Sequence, residues 1–285
     1  MPKRVSLIIV PYDSGVRGAR MGAGPEALLE GGLEGRLTDK GHEVEIAFIE
    51  LPRDFHPAEV QAAFELDRRV ALAVADAVAR DSFPLILSGN CNTAIGTVTG
   101  LGDPRTGVIW FDAHGDLNTP ETSPSGFFDG TALATVTGRC WKTAVSRIPG
   151  FSAVADDRVV LVGARDLDVG EVDLLSATAI TRVPSEAGTE VLADVLKDHA
   201  GRVSGIYLHL DLDVLDLSEG SANHFAVSGG MTAAGLMSAV QQIGGAERIR
   251  AATLTSYDAA SDDGRIRAIA IDVAAAICQL SVGPD

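Results

Sequence analysis

The chain has 285 residues, with 39 Asp and Glu against 23 Lys and Arg for a net charge of -16, and an isoelectric point near 4.7. A surface this acidic repels phosphate backbones and anionic lipid, which sets nucleic acid and membrane aside as partners. A composition that is 46% hydrophobic and 22% charged is globular and excludes a disordered or fibrous chain. Cys91, Cys140 and Cys278 are too few and too scattered for a disulfide framework, and they fit a reducing cytoplasm.

At the start, Lys3 and Arg4 precede an apolar run over residues 5–10 that stops at Pro11-Tyr12-Asp13. It is too short for a signal peptide, and no later stretch approaches the roughly 20 apolar residues that span a bilayer. Further runs rich in Val, Ile and Leu follow at 45–49, 84–87, 107–111, 158–162, 205–210 and 251–254, each the length of a buried strand. Between them, residues 58–80, 189–199 and 232–243 carry apolar positions every three or four residues, the spacing of amphipathic helices. Strand alternating with helix predicts an α/β fold, a parallel sheet with helices on both faces. No repeat, low-complexity segment or Pro/Ser-rich linker divides the chain, so one domain over residues 1–285 is expected.

In such sheets ligands bind beyond the carboxyl ends of the strands. The run at 107–111 is followed by Asp112-Ala113-His114-Gly115-Asp116, and the run at 205–210 by Asp211-Leu212-Asp213. Residues two apart on an extended chain point the same way, so Asp112, His114 and Asp116 can converge, as can Asp211 and Asp213. Four carboxylates and an imidazole crowd together only if positive charge offsets their repulsion, which a metal supplies. Oxygen-rich ligation with imidazole suits a hard or borderline divalent ion, and bridging carboxylates would hold two. A solvated loop or a helix cap is the simpler account of one such pair, but not of two pairs with a histidine between acids. A calcium loop of the EF-hand type is excluded, because counting from Asp211 it would need an oxygen ligand at Leu215 and a glycine at Asp216.

These segments resemble the arginase, or ureohydrolase, family of manganese enzymes. Pro11-Tyr12-Asp13-Ser14-Gly15 and Gly22-Ala23-Gly24-Pro25 are similar to its opening glycine-rich segment. Ser88-Gly89-Asn90-Cys91-Asn92-Thr93 stands where the family has Gly-Gly-Asp/Asn-His-Ser. The run from Asp112 to Pro120 resembles the central signature, and His209-Leu210-Asp211-Leu212-Asp213 resembles Ser-Phe-Asp-Val-Asp. The resemblance implies a three-layer αβα domain with a doubly wound, mainly parallel sheet, and two Mn2+ ions per chain that activate water against a guanidino group. It nominates Cys91, Asp112, His114, Asp116, Asp211 and Asp213 as metal ligands, and Asp116, Asp129 and Ser256 stand at the positions of its catalytic residues. Asn118, Ser123 and Ser125 match the positions that bind an amino acid's carboxylate. Asp168, then Glu171, match those that meet its α-ammonium group, which favours an α-amino acid over agmatine.

Three departures fall inside the implied site. Cys91 replaces a histidine ligand, and its thiolate would be softer and add negative charge. Asp129 stands where a histidine could protonate a leaving amine; an ordinary aspartate is ionised and cannot. Ser256 replaces a glutamate that would pair with a guanidinium. Together they point to a guanidino group less basic than arginine's, such as Nω-hydroxy-L-arginine, cleaved to L-ornithine and hydroxyurea. That pattern resembles the hydroxyarginine amidinohydrolase branch that serves antibiotic biosynthesis. Plain arginase activity is the near alternative, and a non-catalytic amino-acid binder with a degraded metal site the further one. His224 is read as an exposed loop residue, with replacement of the lost proton donor as the alternative. The family's trimers and hexamers draw in part on a C-terminal tail, whereas this chain stops at Gly283-Pro284-Asp285 soon after an apolar stretch over 268–280, so a monomer is plausible, with the family's trimer or hexamer as the alternative.

Overall fold

A computed structural model describes residues 4–52, 55, 58–187 and 189–281. Its eight principal strands are β1 (Arg4–Val10), β2 (Glu43–Phe48), β3 (Ser82–Ser88), β4 (Thr106–Phe111), β5 (Val159–Val162), β6 (Thr181–Val183), β7 (Gly205–Asp211) and β8 (Ile249–Thr255). They form one sheet in the order β2-β1-β3-β8-β7-β4-β5-β6, and every pairing is parallel. The last third of the chain thus inserts β7 and β8 between β3 and β4. Four neighbouring strands therefore end side by side, and the segments that follow them carry Cys91, Ser256, Asp211 with Asp213, and Asp112 to Asp116.

Alternating side chains of each strand feed two cores. Leu7, Ile9, Leu85, Leu87, Leu208 and Leu210 pack with Leu236, Val240 and Ile277 of the helices Ala233–Ala246 and Arg265–Leu280. Ile8, Val10, Ile86, Trp110 and Tyr207 pack with Val70, Val74 and Ile95 of the helices Glu59–Ala79 and Thr93–Leu101. Burial on both faces is why these strands are almost uninterrupted apolar runs. The three helices expected at 58–80, 189–199 and 232–243 are observed as Glu59–Ala79, Thr189–Ala200 and Ala233–Ala246. Thr232 caps the last of them, its Oγ1 accepting from Gly235 N at 3.1 Å.

Two strands differ from expectation. Of the run at 45–49 only Ile49 is buried; β2 is an edge strand, with Ile46 36% and Phe48 44% exposed. It has one neighbour, β1, and its Glu43 and Glu45 pair with Arg4 and Arg80. Charged side chains on an exposed edge discourage pairing with other chains. β6, only three residues long, gave no periodic signal at all. The apolar stretch at 268–280 lies within the helix Arg265–Leu280, while Gly283, Pro284 and Asp285 lie outside the described residues. Among those residues no helix is long and apolar enough to cross a membrane.

Gly89, directly after β3, brings the chain against the opening segment: a Cβ there would lie 2.2 Å from Tyr12 O and 2.8 Å from Gly22 Cα. Both obstacles are backbone and cannot swing aside. Gly89→Ala is expected to cost about 1–3 kcal/mol through overpacking. Gly35→Ala, in the helix Leu33–Asp39 with open space around it, should gain up to about 1 kcal/mol from helix propensity. Thermal unfolding of the two variants beside the parent checks both signs.

Candidate metal centre and cavity

Asp112, His114 and Asp213 bring ligand atoms within 4.8 Å of one another, and so do Cys91, Asp112 and Asp116. Asp112 is common to both groups, which is the arrangement of two adjacent cation sites sharing a carboxylate. Asp211 joins them, accepting from Cys91 Sγ at 3.2 Å and, through its other oxygen, from Asp213 N at 2.9 Å. All six residues nominated as ligands therefore lie at one rim of the sheet. Five of them, Asp112 excepted, line a cavity of about 340 Å3.

The carboxylates are nearly sealed from water, at 1% exposure for Asp112, 7% for Asp116, 4% for Asp211 and 2% for Asp213. Burial first, and then mutual repulsion, pushes Asp112, Asp116 and Asp211 above the usual carboxylate range. Burial also acts upward on Asp213, but hydrogen bonds from His114 and Ala113 outweigh it and hold its acid low. Cys91 is pushed up by burial and by the acids around it. Asp116 Oδ2 is buried with no hydrogen-bond partner. An orphaned oxygen among acids with excess negative potential is the environment a divalent cation relieves, so this donor set fits a pair of such ions. Asp116 (φ +51°) and Ser256 (φ +62°) also hold left-handed backbone, a strain of about 1–3 kcal/mol each that concentrates at functional sites.

Cys91, Asp129 and Ser256 are in contact. Asp129 Oδ2 accepts from Cys91 N at 3.0 Å and Asn90 Nδ2 at 2.9 Å, and its Oδ1 accepts from Asn92 N at 2.9 Å and Asn92 Nδ2 at 2.6 Å. Burial pushes Asp129 up to about 7, against these four donors, which favour its ionised form. Cys91 Sγ lies 3.5 Å from Ser256 Oγ. All three line the cavity.

Asn118, Ser123, Ser125, Asp168 and Glu171 line the same cavity. Asn118 Nδ2 donates to Asp168 Oδ2 at 2.7 Å. Ser123 and Ser125 lie on the exposed loop, their hydroxyls accepting from Gly126 N and Phe127 N. The Glu171 carboxylate is already engaged, one oxygen by Leu117 N and the other by Asp168 N, both at 2.9 Å. The second bond completes a capping box at the start of the helix Val169–Ala177.

Several supporting residues were not foreseen. Trp110 Nε1 donates to Asp112 Oδ2 at 3.0 Å, and its ring stacks on His209, its cross-strand partner, with centroids 3.5 Å apart. The shared direction of residues two apart could have revealed Trp110 beside Asp112. The Arg165 guanidinium donates to backbone carbonyls of Asp213 at 3.0 Å and Val227 at 2.8 Å, fixing the loop after β7. Asn223 Nδ2 donates to Ser256 O at 2.7 Å and Asp213 Oδ2 at 3.4 Å; no sequence motif marks it. His224, by contrast, has a side chain 77% exposed, 3.7 Å from Asp258, and does not line the cavity.

Comparison with known proteins agrees with this architecture. The Arginase family profile matches residues 3–280. The arginase of Bacillus caldovelox is 35% identical over 247 residues, covering 81% of this chain and 82% of that protein. The Bacillus subtilis arginase is 32% identical over 246 residues, covering 81% and 82%. A crystal structure of arginase from Bacillus subtilis superposes with a TM-score of 0.88 at 29% identity, covering 96% of this chain and 98% of that one.

His114 Nδ1 lies 3.2 Å from Asp112 Oδ1 and 3.4 Å from Asp213 Oδ2. Burial alone would lower its basicity, but these two acids outweigh burial and raise it to about 12. With the folded value above the unfolded one, the imidazolium contributes stability that is complete below about pH 6.5. That contribution is lost as pH rises through about 12. A cation must displace that proton, so metal uptake should tighten from pH 6.5 to 8.5 and release about one proton or more per chain. Calorimetric titration in buffers of different ionisation enthalpy counts the protons; uptake that is indifferent to pH would contradict the assignment of His114.

Proposed function

This chain belongs to the arginase family, hydrolases that act on guanidino carbon–nitrogen bonds, and from that premise we propose that it hydrolyses Nω-hydroxy-L-arginine to L-ornithine and hydroxyurea. The observation that carries the reading is contiguity. Cys91, Asp129 and Ser256, the three departures from the family pattern, are joined by the 3.0 Å contact of Asp129 to Cys91 N and the 3.5 Å contact of Cys91 to Ser256. One stretch of cavity wall has changed its chemistry as a unit. Where a carboxylate would pair with a guanidinium, it offers a hydroxyl.

An N-hydroxyguanidine suits that wall. Its electron-withdrawing oxygen lowers its basicity, so the neutral form is accessible and needs no carboxylate partner, and its carbon is more open to attack. Ser256 can exchange a hydrogen bond with the N-hydroxyl group. The same pattern resembles the amidinohydrolase of D-cycloserine biosynthesis.

Cys91, Asp112, His114, Asp116, Asp211 and Asp213 would hold two Mn2+ ions. When bound, these ions supply Lewis acidity that makes water a nucleophile near neutral pH. Asp116, whose carboxylate lines the cavity beside the other nominated ligands, would take up the proton of the attacking water and return it to the departing δ-nitrogen. The bond from the guanidino carbon to that nitrogen breaks, leaving ornithine and hydroxyurea. Asp129, saturated by four N–H donors, holds the turn at residues 90–92 rather than delivering a proton. Asn118, Ser123, Ser125 and Asp168 take the amino-acid head, and Glu171 keeps that wall in place. Hydrolysis of L-arginine is the second reading, favoured by relatives named arginase at 32–35% identity.

With the manganese-loaded protein, kcat/KM for hydroxyarginine should exceed that for arginine by up to about 100-fold, the scale of about 1–3 kcal/mol for one buried polar group left unpaired. Ser256→Glu should narrow the gap by restoring a partner for the arginine guanidinium. Removal of metal by a chelator should abolish both activities. Equal or faster turnover of arginine by the parent protein would replace the first reading with the second.

A further inference from the structure

Phe127 and Phe225 face each other across the cavity mouth. They come from different loops, one after β4 and one after β7, yet their rings stack with centroids 5.3 Å apart and planes 23° from parallel. Both line the cavity, and Phe225 is 43% exposed. An exposed phenylalanine held in a stack across a mouth has an apolar face available to a ligand.

Each ring is fixed to one end of the site. Phe127 N donates to Ser125 Oγ at 3.1 Å, beside the residues assigned to the amino-acid head. Phe225 N donates to Asn223 Oδ1 at 2.8 Å, and the amide nitrogen of Asn223 reaches Ser256 O and Asp213 Oδ2 at the reacting end. The stacked pair thus spans the interval between the two polar ends. What a guanidino amino acid places in that interval is its methylene stem.

We propose that Phe127 and Phe225 form a clasp that covers the apolar stem of the substrate and selects its length, a specificity role that rests on reading the substrate as a guanidino amino acid. The contact is made by stem atoms that do not react. It therefore strengthens ground state and transition state alike, and its loss appears in KM rather than kcat.

The test is calorimetric binding of L-ornithine and of L-2,4-diaminobutyrate, which is one methylene shorter, to the manganese-loaded protein. The parent should bind ornithine at least about 10-fold more tightly, the discrimination one methylene gives in a fitted apolar pocket. Phe225→Ala should weaken ornithine about 10-fold and erase most of that difference. Phe225→Leu should retain it, and metal content and thermal unfolding of both variants should match the parent. For hydroxyarginine turnover, Phe225→Ala should raise KM with kcat within about two-fold. If the parent binds ornithine and Phe225→Ala binds it equally well with the same preference over the shorter amino acid, the clasp is overturned while the functional reading stands. If the parent binds neither amino acid, the clasp is overturned, and the functional reading falls with it only if the manganese-loaded parent also fails to turn over hydroxyarginine.

Discussion

The structure turns on the repulsion among buried carboxylates. Asp112, Asp116, Asp211 and Asp213 end two adjacent strands in a space almost closed to water, with the imidazole of His114 among them. In a medium of low dielectric such a group is costly unless cations or donors answer it. The surroundings are built to answer it in part. Trp110, Ala113, Asp213 N and Asn223 donate to the acids, and Arg165 ties down the loop that carries Asp213. The acidity left over is centred on the unpartnered oxygen of Asp116, and it makes metal binding and the shape of this rim a single problem.

The positions of these acids were legible because the sheet is buried on both faces. Burial leaves long apolar runs, and a polar cluster after such a run marks the end of a strand. The Asp-X-His-X-Asp and Asp-X-Asp spacings then fix a shared direction. Sequence could not say which strands are neighbours. That β7 lies between β8 and β4, and so brings Asp211 beside Cys91, depends on long-range pairing. For the same reason Asn223, in a loop without periodicity, gave no signal, although its amide joins Asp213 to Ser256. The run at 45–49 had the composition of a strand, but an apolar run alone does not distinguish a central strand from an edge with charged residues between its apolar ones.

The departures at Cys91, Asp129 and Ser256 read differently in three dimensions than in one. Along the chain they are separated by 38 and 127 residues, and each could be taken as a local loss. In space Cys91 is the middle of a row. Asp129 fixes its backbone and Ser256 faces its sulfur. Each of these side chains holds or faces the next, so a change at one alters the surroundings of another.

Glu171 was expected from the sequence to meet an ammonium group, yet its carboxylate bolts Leu117 N to Asp168 N and leaves neither oxygen idle. One side chain thereby locks two walls of the cavity together before any ligand arrives. A guest meeting that end finds Asn118 and Asp168 already in register and loses little of its binding strength to ordering the host. Rigidity at the recognition end leaves any adaptation to the loops at the mouth.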